Sequence, residues 1–366
     1  MKVPFSYLRE QFSNPDPILR RIKKVVQRGD FTLGKEVREF EEVFRKIIGT
    51  KYAIGVNSGT DAIFLSMKVL GIGNGDEVIT AVNTFIGTAG AIVATGATPV
   101  FVDCDEEYIL DLNKLEAAIT KKTKAIIPVH YAGHPINMPR LVKLARKHKL
   151  YIIEDACQGI AAEINGRKVG SFGEAGAFSL HPLKNINVWS DGGIITTNSK
   201  KLYETLRFLR NHGMKNRDKY VLFGYNSRLD TIAAAIGLEV VKDLEWVTKT
   251  RIKHAALYDR GLRGLRPQIT LPPRRRSVRY VYHLYIIQAQ RRDELLKYLK
   301  SKGVEAKVHY PTPLHLQECS NKLGYKKGQF PVSEAQAKSI LTLPAHQYLS
   351  ERQIRYVIKT IHNFYL

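Results

Sequence analysis

From residue 52 onward, short apolar runs rich in β-branched residues alternate with segments patterned at helical spacing. The runs Glu77–Val82, Thr98–Cys104, Lys124–His130, Tyr151–Glu154, Ala175–Leu180 and Gly193–Thr197 predict strands. They are almost continuously apolar rather than alternating, as expected of strands buried on both faces of a mostly parallel sheet. Helices are predicted between them, at Gly59–Leu70, Ile86–Thr95, Leu112–Ile119, Pro139–His148 and Lys200–His212. This rhythm indicates an α/β fold with crossover helices. A long amphipathic stretch follows, Thr231–Leu265, and then the breaker-rich Arg266–Val278 with Pro267, Pro272 and Pro273. The remainder predicts a strand (Tyr280–Ala289), a helix (Asp293–Lys302), a strand (Val304–Tyr310), a Pro-rich loop and a terminal helix (Glu351–Asn363).

Composition narrows the class without changing this picture. The 366 residues, 44% hydrophobic and 25% charged, suit a large folded protein and exclude a disordered one. No run approaches the roughly 18 apolar residues of a membrane span, and the polar start MKVPFSYLREQFSNPDP is unlike a signal peptide. Cys104, Cys157 and Cys319 are scattered and odd in number, which argues against a disulfide framework or a zinc knuckle. A cytoplasmic protein is expected. The formal charge of +23 invites a nucleic-acid reading. Its clusters, Arg20–Lys24, Lys121–Lys124, Arg146–Lys149 and Arg274–Arg276, are nevertheless dispersed and not interleaved with aromatics, so nucleic acid is not the expected partner.

Candidate chemistry concentrates between Tyr151 and Asn198. YIIEDACQG sets Asp155 just past a buried strand, at the carboxyl edge where α/β sheets hold ligands. AGAFSLH brings Ser179 and His181 to the same edge, and PLKN presents Lys184 from a loop. An amine and a carboxylate delivered to one rim suit a carbonyl cofactor whose ring nitrogen is kept protonated. In VNSGTDAIF a strand end meets Ser58, Gly59 and Thr60 at the start of a helix, a ready anion site. Ser58 or Thr60 serving only as a helix cap is the plainer alternative. No Walker lysine motif or G-x-G-x-x-G fingerprint is present. His130 with His134, and His309 with His315, are separated by glycine and prolines that spoil helical presentation, so no metal site is expected.

In order along the chain, GVNSGTDAIFLS, DEVITAVNTFIGTAGAI, PVFVDCD, IIPVHYAGHPINM, YIIEDACQGIAAEINGRKVGSFGEAGAFSLHPLKN, DGGIITTN, LRNHG, GYNSRLDTIAAAIG, KVHYPTPLHLQ and LTLPAH resemble the DegT/DnrJ/EryC1/StrS family of sugar aminotransferases. The resemblance implies a fold-type I enzyme dependent on pyridoxal 5'-phosphate (PLP). It implies a large PLP-binding domain at 1–250, with an N-terminal helical arm, and a small C-terminal α/β domain at 251–366. It places the Schiff-base lysine on Lys184, the pyridine-nitrogen carboxylate on Asp155 and the ring-hydroxyl partner on Gln158. The phosphate site falls on Gly59, Thr60 and Ser179, the ring-stacking aromatic on Phe85, and a phosphate contact across a homodimer on Asn226. His181, Lys307, His309 and Tyr310 become candidates for substrate contacts. Transamination from an amino acid, L-glutamate, to a nucleotide-linked keto sugar is implied, with pyridoxamine phosphate as the intermediate cofactor form.

The sequence departs from many relatives after the lysine. Val188-Trp189-Ser190-Asp191-Gly192-Gly193 stands where they carry T-G-E-G-G, a form closer to members acting at sugar C3 than at C4. A dehydratase branch replaces the lysine with histidine, and Lys184 argues against it. A regulatory or nucleic-acid-binding protein that keeps the fold is the rival from outside enzymology.

Overall fold

The computed structural model describes residues 1–366. Helices α1 (Asp16–Arg28) and α2 (Lys35–Ile48) lead into β1 (Tyr52–Val56), α3 (Gly59–Val69), β2 (Glu77–Ala81), α4 (Ile86–Ala94), β3 (Thr98–Val102) and β4 (Thr123–Ile127). Next come α5 (Met138–His148), β5 (Tyr151–Asp155), β6 (Ala175–Ser179), β7 (Gly193–Thr197), α6 (Lys200–Leu209), α7 (Thr231–Val240) and α8 (Leu244–Leu262). The chain ends with β8 (Ile269–Thr270), β9 (Tyr285–Ala289), α9 (Arg292–Ser301), α10 (Pro331–Ser339), β10 (Ile340–Leu343) and α11 (Glu351–Tyr365).

Seven strands form one sheet in the order β1-β7-β6-β5-β4-β2-β3. The β2–β3, β2–β4, β4–β5 and β5–β6 pairs are parallel, and only β7 runs against both its neighbours. The expected α/β architecture with a mostly parallel, mixed sheet is therefore present. Helices cover both faces, so strands such as β7 are buried along their whole length. A second, antiparallel sheet of order β8-β9-β10 packs with α8, α9 and α11 around Tyr258, Tyr285, Leu299 and Val357.

Four expectations need correction. Leu112–Ile119 contains only the single turn Glu116–Ala118, because the Asp111 carboxylate takes the Asn113 amide at 2.9 Å and sets a local turn instead. The stretch Thr231–Leu265 is two helices broken at Val241–Asp243. Its first half is apolar on every side and buried, with Gly237 so close to Phe40 that a Cβ would lie 2.8 Å from the ring, whereas its second half is amphipathic. Val304–Tyr310 is no strand. It threads between two partners, bridging Val3 at Val304 and Thr342 at Lys307. The strand β10 and the helix α10 lie where only a loop was expected, β10 being four residues long and buried throughout. Position 250 falls inside α8, whose Leu244 packs in the core with α2 and α7 while Ala255 and Tyr258 belong to the C-terminal core. Val3 is also part of that C-terminal core.

Candidate active site

The carboxyl ends of β1, β5 and β6 lie along one edge of the large sheet, with the start of β7 between them, and the residues singled out in sequence gather there. At the end of β1, Ser58 caps α3 by accepting the Asp61 amide at 3.0 Å. The capping reading thus holds for Ser58, and Gly59 and Thr60 form the first turn at the positive end of the helix. A Cβ on Gly59 would stand 2.7 Å from the Cβ of Ser179 and 2.8 Å from Cys157 Sγ. Glycine is therefore required for Ser179, at the end of β6, to approach the helix end. Gly193 is equally constrained, since a Cβ there would meet the Ser58 carbonyl oxygen at 2.2 Å. This cradle of amide groups and hydroxyls fits a phosphate.

Asp155 ends β5 and is 5% exposed. Its Oδ2 accepts from Thr88 Oγ1 at 2.7 Å and its Oδ1 from the Cys157 amide at 3.2 Å. Thr88 lies within 2.9 Å of Thr84 Oγ1 at the start of α4. These two bonds fix the carboxylate while leaving acceptor capacity for a protonated ring nitrogen. Gln158 is buried, with Oε1 accepting from the Ala132 amide at 2.7 Å.

Lys184 keeps some exposure on the loop after β6, yet enough protein surrounds it that burial pushes its amine below the ordinary lysine value, opposed by Cys157 and Asp155. Its backbone is held independently of the side chain. Its carbonyl accepts from the Tyr7 hydroxyl at 3.0 Å and from Asn187 Nδ2 at 3.1 Å. His181 is exposed, and its amide donates to Ser179 Oγ at 3.3 Å.

Phe85 is 54% exposed at the mouth of the site, its ring 6.2 Å from that of Tyr310. Burial raises the Tyr310 hydroxyl to about 12, with Asp155 adding to the rise and Gln158 opposing it, which puts Tyr310 near both residues. His309 donates or accepts with Thr342 Oγ1 at 2.9 Å, and burial together with Lys307 and Lys184 lowers it to about 4. Lys307 is exposed, its ammonium 4.8 Å from the Phe5 ring. Asn226 is not with this group. It lies on the surface beside a cleft lined by Phe31, Asn57 and Arg228, and its amide makes no hydrogen bond within the chain. His130 is committed to buried Glu154 at 3.1 Å and His315 to Glu334 at 3.0 Å, while His134 packs edge-on against Tyr280.

Sequence reasoning passed over Thr88, Tyr7 and Arg251. Thr88 lies three residues beyond Phe85, and that spacing from an aromatic at a helix start was the available signal. Tyr7 and Arg251 come from distant segments and carried none.

The sequence profile of the DegT/DnrJ/EryC1/StrS aminotransferase family matches residues 15–362. The chain belongs to this family. It is 43% identical to the "Pleiotropic regulatory protein" of Geobacillus stearothermophilus over 100% of this chain and 99% of that one. It is 40% identical to UDP-N-acetyl-3-dehydro-alpha-D-glucosamine 3-aminotransferase of Acidithiobacillus ferrooxidans, covering 98% and 97%. The crystal structure of DesV from S. venezuelae superposes with a TM-score of 0.96 at 38% identity, covering 99% of this chain and 98% of that one. The family is one of PLP-dependent aminotransferases, and the Gly59–Ser179 cradle with the pinned Asp155 carboxylate fits that cofactor.

Proposed function

We propose that this chain transfers the amino group of L-glutamate to carbon 3 of a nucleotide-linked keto sugar. In this reading Gly59, Thr60 and Ser179 hold the cofactor phosphate, Asp155 the ring nitrogen, Gln158 the ring hydroxyl and Phe85 one ring face. The single observation that carries the reading is the convergence of the Lys184 loop and the pinned Asp155 on the cradle at one sheet edge.

When bound, PLP supplies a carbonyl that takes up and passes on the amino group and a ring that draws electrons from the reacting carbon. Asp155, fixed by Thr88 and the Cys157 amide, keeps the ring nitrogen protonated. Lys184 Nζ, its basicity lowered by burial, would take the proton from the donor's α-carbon and hand it to the cofactor carbon, and in the second half-reaction would carry a proton the opposite way, to the sugar carbon. Phe85 and Tyr310, their rings 6.2 Å apart, flank the mouth of the site. The exposed Asn226, with no partner in its own chain, reaches the phosphate of a second subunit, so the working unit is a homodimer with shared sites.

Preference for C3 rests on the W-S-D-G-G form after Lys184 and on the 3-aminotransferase relative. The cytoplasmic reading rests on three unpaired cysteines, and no helix is long and apolar enough to cross a membrane.

The test uses the PLP-loaded protein. Addition of L-glutamate should abolish the visible band of the bound cofactor, and a 3-keto nucleotide sugar should restore it. Restoration by 4-keto sugars alone would overturn the positional assignment. No visible band at all would favour the non-catalytic regulatory reading, and loss of a sugar hydroxyl without amino transfer the dehydratase one. Mixing Lys184→Ala with Asn226→Ala subunits should give activity above either parent. Exchange confirmed by mass without that rise would remove the shared site.

A further inference from the structure

A cavity adjoins the Lys184 loop at Leu183. Its volume is about 100 Å3. That is several times the roughly 10–15 Å3 a water needs, and well below the roughly 300–1,000 Å3 of pockets for drug-sized ligands. It admits a small group, not a nucleotide. Leu183 and Tyr7 form one side, and Arg251, Lys307 and the imidazoles of His283, His309 and His346 contribute the polar lining. No aspartate or glutamate lines it.

Arg251 is 3% exposed. Its Nε donates to Gln347 Oε1 at 3.0 Å and its Nη1 to the carbonyls of Tyr282 and His283, both at 3.1 Å. Its Nη2 has no hydrogen-bond partner. The Tyr7 ring lies 5.2 Å from the guanidinium; burial lowers the arginine's pKa, and Tyr7, through its hydroxyl, rather than any carboxylate opposes that shift. A buried cation without an anion is costly, and families of buried charge are normally paired. Three of the five N–H groups of the fork donate to protein, and the two on Nη2 are left unpaired on a residue that lines the cavity.

We infer that this cavity binds the carboxylate of the amino donor, with Arg251 as its charged partner and Lys307 at its rim. The inference rests on the aminotransferase reading above. It explains why a buried arginine is held by carbonyl groups and a glutamine rather than by a resident acid: the anion arrives with the substrate. The place is suitable. The Tyr7 hydroxyl, on the cavity wall, donates to the carbonyl of Lys184, and His283 and His309 both feel the charge of Lys184. A carboxylate held here adjoins the loop that carries the amine handling the donor's proton.

Glutarate titrated calorimetrically into the PLP-loaded protein tests binding without turnover. One charge-assisted hydrogen bond of ~1.5–3 kcal/mol corresponds to about 10- to 100-fold in affinity. Arg251→Met should weaken glutarate by that factor and raise the glutamate KM in parallel, with the KM of the sugar changed less than about twofold. Lys307→Met, an exposed position that leaves the fold alone, should weaken glutarate about threefold. Comparing alanine with glutamate separates the two sources of carboxylate. A raised KM for both donors in Arg251→Met assigns the α-carboxylate, and a raised KM for glutamate alone the side-chain carboxylate. Unchanged glutarate affinity in a folded Arg251→Met protein, or in Lys307→Met if the first does not fold, overturns the inference. Glutarate binding without any spectral change on adding amino acids would overturn the aminotransferase reading instead and leave the anion cavity standing.

Discussion

On the cradle side of the Lys184 loop, the polar side chains that follow or end strands of the large sheet are held by near neighbours, Ser58 by the Asp61 amide and Asp155 by Thr88 and the Cys157 amide. Around the cavity the wall is assembled from Tyr7, Arg251, His283, His309 and His346, drawn from the chain's first residues, α8, the segment before β9, the 304–310 segment and the loop after β10. There polar atoms are left without partners, among them Arg251 Nη2 and the Nδ1 atoms of His283 and His346. The two walls differ as a prepaid site differs from one completed by its ligand. A satisfied wall can grip a cofactor that stays, while an unsatisfied wall suits a group that comes and goes with each turnover.

The largest effect should come from the residue between the walls. Lys184→Ala should lower turnover by about 10⁴-fold or more, since it removes the base that moves the proton. The melting temperature should stay within about 2 °C, because the loop backbone is held through the Lys184 carbonyl by Tyr7 and Asn187 and not through the amine. A collapse of thermal stability alongside activity would mean that Lys184 is structural.

A smaller effect separates the walls directly. Thr88→Val keeps the side-chain shape and deletes the hydroxyl that donates to Asp155. Loss of one bond to a charged group predicts about 10- to 100-fold weaker PLP binding, read by equilibrium dialysis. Thr342→Val deletes the corresponding hydroxyl on the other wall, beside His309. It should leave PLP affinity within about twofold and act on substrate KM instead. Equal losses of cofactor affinity in the two variants would dissolve the distinction between the walls.

The same contrast explains what could be read from sequence. The cradle is encoded locally: a buried apolar run followed by Ser58-Gly59-Thr60, or by Asp155, states both a strand and the edge at which it ends. The parallel sheet and its polar rim were legible for that reason. The opposite wall depends on pairings such as Val3 with Val304 and Lys307 with Thr342, each a single bridge between segments hundreds or tens of residues apart. No periodicity marks a one-residue bridge, so Val304–Tyr310 read as a strand of its own and β10 disappeared into a loop. Arg251 looked like one more charge on an amphipathic helix, because a helix pattern cannot reveal that its polar side faces a cavity.

The least visible difference between the walls should appear in the pH dependence of stability. His346 Nε2 lies 3.1 Å from the Pro4 carbonyl, to which it donates, and burial lowers its pKa to about 4, with Pro4 opposing and Arg251 assisting. His309 is lowered to a similar value. An unfolded chain takes up protons on both near the ordinary value of ~6.5, whereas the folded chain refuses them until about pH 4. Between those limits the unfolded state binds more protons, so stability falls as the pH drops from about 6.5 towards 4. Asp105 runs the other way. Burial raises its carboxyl to about 6, so protonation between about 6 and 4 relieves a penalty in the folded state and offsets part of one histidine's contribution. His346→Asn, which keeps a donor for Pro4, should therefore flatten the acid limb of the stability curve in urea titrations at pH 6.5, 5.5 and 4.5. An Asp105→Asn variant should steepen it. If His346→Asn leaves the slope untouched, the imidazole is not held neutral by its burial, and the second wall would be as fully satisfied as the first.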